Sequence, residues 1–126
     1  MKNTLYALIC FTVVVLIAVS YQLHLTNLTE EINIISNKAI QLIESEKFND
    51  ANDLLTDLEQ LWEKNHKILM AFQDHSSVNE AAISLSLAVN CYRTKEYSQV
   101  SDNLINFTSI LNELASENIP SVENIL

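Results

Sequence analysis

Residues 5–23, LYALICFTVVVLIAVSYQL, contain no charged side chain, and apart from Lys2 every charge in the chain lies C-terminal to them. A helix of about 19 such residues, rising about 1.5 Å each, crosses the roughly 30 Å hydrocarbon layer of a bilayer. Val13, Val14, Val15, Leu16 and Ile17 make its centre strongly apolar. The reading is therefore an N-terminal transmembrane segment over residues 1–24. No comparable apolar run follows, so residues 25–118 are expected to form one domain on one face of the membrane, with 119–126 as a C-terminal tail.

Charge sets the expected orientation. Lys2 and the terminal amine precede the apolar run, whereas the first charges after it are Glu30 and Glu31. The positive-inside tendency then places the N-terminus in the cytoplasm and the bulk of the chain outside, as a single-pass protein of the cell membrane. A cleaved signal peptide is the rival reading, because Ala18-Val19-Ser20 offers a small-x-small pattern ahead of Tyr21. An uncleaved anchor is preferred: the apolar stretch is long for a signal peptide, and Tyr21 to Leu28 continue it without a polar break. Ile9 ahead of Cys10 is bulky where a lipoprotein cleavage site needs a small residue.

Composition removes whole classes of function. Seven Lys and Arg against sixteen Asp and Glu give a formal charge of −9. Such a surface repels nucleic acid, whose binding requires clustered basic residues. The chain contains no glycine, which sets aside phosphate loops and dinucleotide fingerprints, since both need backbone conformations or close approaches that glycine permits cheaply. A single proline, Pro120, and abundant Leu, Ile, Ala and Glu favour helix. Cys10 lies inside the apolar run and Cys91 in the domain, so no disulfide framework is expected.

Apolar spacing supplies the architecture. Leu28, Ile32, Ile35, Ala39 and Leu42 step by four and three, forming one stripe of a helix from about Leu28 to Ser45. A second stripe runs through Ala51, Leu54, Leu55, Leu58, Leu61, Trp62, Leu69 and Phe72, interrupted at Asn65. Val78, Ala81, Leu85, Ala88 and Tyr92 mark a third helix, with Ile83, Leu87 and Cys91 on its flank. This helix is expected to be covered on more than one side. Tyr97, Val100, Leu104, Phe107, Leu111 and Leu114 mark a fourth, in the spacing that lets helices pack about 20° from antiparallel. The predicted fold is all-α: an N-terminal transmembrane helix followed by an antiparallel four-helix bundle.

The bundle is expected to consist of two similar helical hairpins. With a shift of 49 residues, Ala39, Phe48, Ala51, Leu55, Leu58 and Leu61 align with Ala88, Tyr97, Val100, Leu104, Phe107 and Ile110. In each half an aromatic residue follows a charged tetrapeptide, 44–47 or 93–96, and closes the turn. The turn around Phe48 is similar to that of tetratricopeptide repeats, but the spacing is not that family's period of about 34 residues, so a bundle of two hairpins is expected, with a short peptide-binding solenoid as the lesser alternative. Between the hairpins, Asp74-His75-Ser76 is expected to be the turn, and Ser77 with Glu80 a capping box for the third helix. Pro120 should end regular structure, leaving Val122, Ile125 and Leu126 able to dock back on the bundle.

Candidate chemistry is sparse. Glu63 and His66 have the Glu-x-x-His spacing of di-iron bundles, but the second motif such a site needs is absent: the other histidines are His24, beside the apolar run, and His75. No metal and no cofactor are expected. Cys91 reads as a small buried hydrophobe rather than a nucleophile. His75 has the chemistry to report pH at an exported site, although capping the second helix accounts for it. No paired acid, base and nucleophile appears, so catalysis is not expected.

A short N-terminal span, a helix bearing Trp62, Asp74-His75 ahead of the next helix, the hairpin Lys95-Glu96-Tyr97 and the ending 121–126 (SVENIL) together resemble the domain-of-unknown-function 4363 family, small proteins of Firmicutes. The resemblance covers nearly the whole chain, which departs from it at Cys91 and in its glycine-free connections. It implies no established activity and no catalytic residues. It also implies a partner in the same membrane, because members are often encoded near a multi-span membrane protein.

Two functions follow as expectations. One is a membrane-anchored extracytoplasmic interaction module, an accessory subunit of another membrane or envelope protein, contacting it through Trp62, His75, Ile83 and Leu87. The alternative is an extracytoplasmic bundle that senses a small ligand in a cavity around Trp62, Cys91 and Tyr92.

Overall fold

A computed structural model describes residues 1–117; Pro120 and the expected docking tail lie outside them. Four helices account for nearly all of the described chain: α1 (Lys2–Glu44), α2 (Phe48–Phe72), α3 (His75–Arg93) and α4 (Tyr97–Glu117). No strand occurs among the described residues.

The N-terminal apolar segment, long enough to cross a membrane, and the first bundle helix are one continuous element. α1 has 43 residues, or about 64 Å at 1.5 Å per residue. No glycine or proline interrupts it, and Gln22 and His24 between the apolar part and the amphipathic part are compatible with helix. Its residues up to Ser20 are all exposed, and the first buried one is Leu25. From there Leu25, Leu28, Thr29, Ile32, Ser36, Ala39 and Ile43 face the bundle. The helix is therefore apolar on every side up to about Tyr21 and on one side beyond it.

The bundle closes as an antiparallel ring. α1 packs against α2 and α4, and α3 packs against α4 and α2; across the α2–α4 diagonal, side chains rather than backbones meet, Trp62 on Phe107 and Phe48 on Tyr97. The contact of α1 with the last helix makes this a closed bundle rather than an open solenoid. α2 and α3 have the slimmest of the four contacts. Fully buried Ile32, Leu55, Leu58, Leu69, Val78, Leu104, Phe107 and Leu111 form the core. Phe107 meets the edge of Trp62 at 5.4 Å between ring centroids and 79° between planes, an arrangement favoured by the ring quadrupoles.

The two hairpins repeat each other closely at their turns. Ser45 N–H donates to Gln41 O at 3.0 Å, Glu46 N–H to Ile43 O at 3.1 Å and Lys47 N–H to Leu42 O at 2.8 Å. Thr94, Lys95 and Glu96 donate to Asn90, Tyr92 and Cys91 with the same three distances. Both are Schellman endings, which satisfy free carbonyls of the last turn and require a left-handed residue just past the cap. That residue is Glu46 at φ 61° in one hairpin and Lys95 at φ 63° in the other. The equivalent aromatics Phe48 and Tyr97 then stack on one another, with centroids 3.8 Å apart and planes 10° apart. The repeat thus ends in a pair of rings shared by both hairpins.

The connection between the hairpins differs from expectation. α3 starts at His75, and its cap is Asp74, whose carboxylate accepts from the Ser77 backbone N–H at 3.3 Å and from the Ser77 hydroxyl at 3.2 Å. Ser77 is already inside the helix, so the Ser77–Glu80 capping box is not formed. A carboxylate one turn earlier does the same work, and its charge opposes the positive end of the helix.

Candidate interaction surface

The four residues assigned to a partner occupy three different settings. Trp62 on α2 is only 7 % exposed, with its ring between Phe107 and His66, the latter at 5.5 Å. Its free edge looks into a shallow opening of about 100 Å³ at the α2–α3 seam, lined also by Glu59, Glu63, Ala82, Leu85 and Ser86. His75 is exposed at the start of α3, where its Nε2 lies 3.0 Å from the Met70 carbonyl. As an Nε2–H donor it satisfies one of the carbonyls left free at the end of α2, the capping role expected for it.

Ile83 and Leu87 face solvent. They are 59 % and 46 % exposed, because the inward faces of α3 are taken by Val78, Ala81, Ser84, Leu85, Ala88, Val89 and Cys91. Within one chain this helix is covered on its bundle side alone, contrary to the expected second covering. Ile83 and Leu87 are four residues apart and so stand one above the other. Ala82 and Ser86, one position earlier along α3, line the Trp62 opening. The apolar ridge therefore runs beside the seam whose far wall carries Glu59 and Glu63.

The residues proposed for a ligand cavity do not converge. The Tyr92 hydroxyl donates to the Phe48 carbonyl at 2.8 Å, at the start of α2, about 21 Å along the helix from Trp62 at 1.5 Å per residue. Burial, with Tyr97 and Asp53 adding to it, pushes the Tyr92 phenol above its ordinary value, in keeping with a hydroxyl that must retain its proton to donate. Cys91 is buried, with its Sγ 3.7 Å from Gln99 Oε1 and 3.8 Å from Asn103 Nδ2. It fills space as a small hydrophobe with weak polar neighbours.

Polar pairs at helix seams escaped the periodicity. Asn65, read as an interruption of the second stripe, is a buried bridge: its Oδ1 lies 2.7 Å from His24 Nε2 on α1, and its Nδ2 donates to Leu61 O at 2.8 Å. Asn106 donates to Ser84 Oγ at 2.6 Å across the α3–α4 seam. The available signal was position, since both Asn65 and Ser84 fall among apolar residues at helical spacing. No cluster of three or more His, Cys, Asp or Glu that would suit a metal ion is gathered among the described residues.

The match to known proteins is at the level of family. The family model described as Domain of unknown function (DUF4363) matches residues 19–125, which takes in the whole bundle and starts where α1 approaches it. The chain belongs to this family. No curated protein and no solved structure matches it. The DUF4363 match spans Trp62, His75, Ile83 and Leu87, and α1 brings to it a helix long and apolar enough to cross a membrane, with none of its apolar window buried in the bundle.

Proposed function

We propose that this DUF4363 protein is a membrane-anchored, extracytoplasmic interaction module that performs no catalysis and serves as an accessory subunit of another membrane or envelope protein. The observation that carries the reading is the exposed Ile83–Leu87 ridge on α3 of a bundle whose first helix runs unbroken into an apolar segment of membrane length. Large apolar side chains standing together on a helix exterior mark a contact site when a polar rim surrounds them. Here Glu59 and Glu63 border the seam beside the ridge, so the matching partner surface is apolar with basic residues at its edge. The N-terminus lies in the cytoplasm, since Lys2 precedes the apolar run and Glu30 and Glu31 follow it. A multi-span protein of the same membrane fits this placement.

The test compares the full-length protein with its Ile83→Glu/Leu87→Glu variant, each purified in mild detergent from the native host's membranes. The wild type is expected to retain a stoichiometric membrane protein and an intact N-terminus by mass spectrometry. The double variant, with unchanged helicity because both sites are exposed, is expected to lose that protein. Equal retention by both would overturn the ridge as the contact, and an N-terminus at Tyr21 would overturn the anchor.

A further inference from the structure

The end of the bundle beside the apolar segment carries a second apolar feature that the docking ridge does not use. α2 terminates there in residues 68–73, ILMAFQ, which contain no charge. Leu69 is buried, but Ile68 is 41 % and Phe72 53 % exposed. Phe72 stacks on Tyr21 of α1 with centroids 4.5 Å apart and planes 24° apart, and Gln73 Nε2 donates to the Tyr21 hydroxyl at 2.6 Å. These contacts fix the height of Phe72 along α1 at Tyr21. On one side of α1, an open groove of about 370 Å³ lies between Leu16, Ile17 and Tyr21 and the α2 residues Ile68 and Phe72. On another side, Phe72 faces a groove of about 480 Å³ with Val14, Ala18 and Leu23.

We infer that this end of the bundle is seated in the boundary between lipid headgroups and acyl chains, with Phe72 and Ile68 immersed beside Tyr21 and lipid filling the grooves. The inference rests on the anchoring half of the proposed function. Tyr21 lies sixteen residues beyond Leu5, about 24 Å along the helix, and the hydrocarbon layer is about 30 Å thick. A layer that begins between Lys2 and Leu5 therefore reaches Tyr21, and Phe72 with it. One wall of each groove is the transmembrane segment itself, so whatever fills them is already inside the membrane. Tyr21 and Phe72 supply an aromatic pair at the depth where amphipathic rings concentrate.

Charge sets the limit of immersion. Lys67 precedes the uncharged run and Asp74 follows it. Lys67 has a long stem that can keep its ammonium among headgroups, whereas Asp74 caps α3 and must stay solvated. The bundle is thus held at two points, by an unbroken helix and by the end of α2, and cannot swing about its anchor. From Tyr21 to Glu44 α1 rises about 35 Å, which places the paired Schellman turns at a fixed distance from the membrane.

The test uses the full-length chain at one copy per phosphatidylcholine nanodisc, with nitroxide-labelled acyl chains as the quencher. In a Trp62→Phe background, Leu16→Trp reports on the anchor, Phe72→Trp and Ile68→Trp on the seated end, and Asn49→Trp on the distal end. Leu16→Trp, Phe72→Trp and Ile68→Trp are each expected to lose more than half of their emission, while Asn49→Trp keeps its own. Quenching of Leu16→Trp without quenching at either α2 position would overturn the seated end and leave the anchor standing. No quenching of Leu16→Trp would overturn both. Loss of Phe72→Trp quenching when two copies share a disc would assign the groove to a second chain instead of lipid.

Discussion

The turn at 45–47 and the turn at 94–96 agree in all three cap hydrogen bonds and within 2° in their left-handed φ, yet at the other end of the same hairpins almost nothing corresponds. There α1 extends through Tyr21 into an exposed apolar helix, and α2 and α1 are tied by the His24–Asn65 and Tyr21–Gln73 bonds. In the second hairpin, α3 begins at an Asp74 cap and carries no extension. A duplicated hairpin retains what its own folding requires, which is the turn and the buried positions next to it. Residues that meet the rest of the molecule or its surroundings are free to diverge. The divergent end is the one that carries the apolar segment and the uncharged α2 terminus.

The core offers the largest contrast. Leu58 and Phe107 are equivalent and fully buried, but only Phe107 has the edge contact with Trp62. Phe107→Ala is expected to cost about 3–5 kcal/mol and Leu58→Ala about 2–4, from lost transfer energy and the cavity left behind. Denaturant titrations of the full-length protein in mild detergent would measure both. A larger loss at Leu58 would break the view that the second hairpin gains extra packing through its aromatic residue.

How much of this was legible in the sequence follows from the same contrast. Steps of three and four carry helix position, and the 49-residue shift carries the hairpin repeat, so four helices and two equivalent turns were readable from residues such as Leu55 and Leu104. Membrane-scale apolarity was readable because 5–23 contain no charge. The continuity of α1 was not, since periodicity marks faces and says nothing of a junction between an all-apolar and an amphipathic stretch that both favour helix. Asn65 looked like a break because a single position does not reveal a partner 41 residues away. Ile83 and Leu87 were legible as a flank, but whether a flank is covered depends on neighbours in space. The cap fell one turn early because Asp74 and Ser77 are both good caps and the shortness of the connection decides between them.

A smaller effect tests the repeat at a position where chemistry differs and shape does not. Thr29 aligns with Val78 under the same shift, and both are buried. The Thr29 hydroxyl has no hydrogen-bond partner, so it gives up water for nothing, at a cost of about 1–3 kcal/mol. Thr29→Val copies the second hairpin into the first at nearly constant volume and should raise stability by about 1 kcal/mol. Val78→Thr should lower it by at least as much. The shift in denaturant midpoint at constant slope is the measurement. A loss on Thr29→Val would mean that the two sites differ in packing although both are buried.

The smallest effect addresses the turns themselves. Glu46 and Lys95 hold left-handed backbone at φ 61° and 63° without being glycine, where a side chain crowds the following carbonyl and costs about 1–2 kcal/mol. Glycine removes that crowding but adds freedom to the unfolded chain, worth about 0.4–1 kcal/mol against folding. The difference leaves Glu46→Gly and Lys95→Gly stabilising by about 0.5 kcal/mol each. Both turns end in Schellman bonds that fix the same φ, so the two gains should agree within experimental error even though the side chains removed carry opposite charge. That opposition makes the comparison informative: a contribution from charge would move the two variants in different directions, whereas backbone strain moves them together. Equal midpoint shifts would place the cost in the backbone and confirm the turns as energetic copies. Unequal shifts would show that Glu46 or Lys95 is held by its surroundings, and that the hairpins are copies in geometry alone.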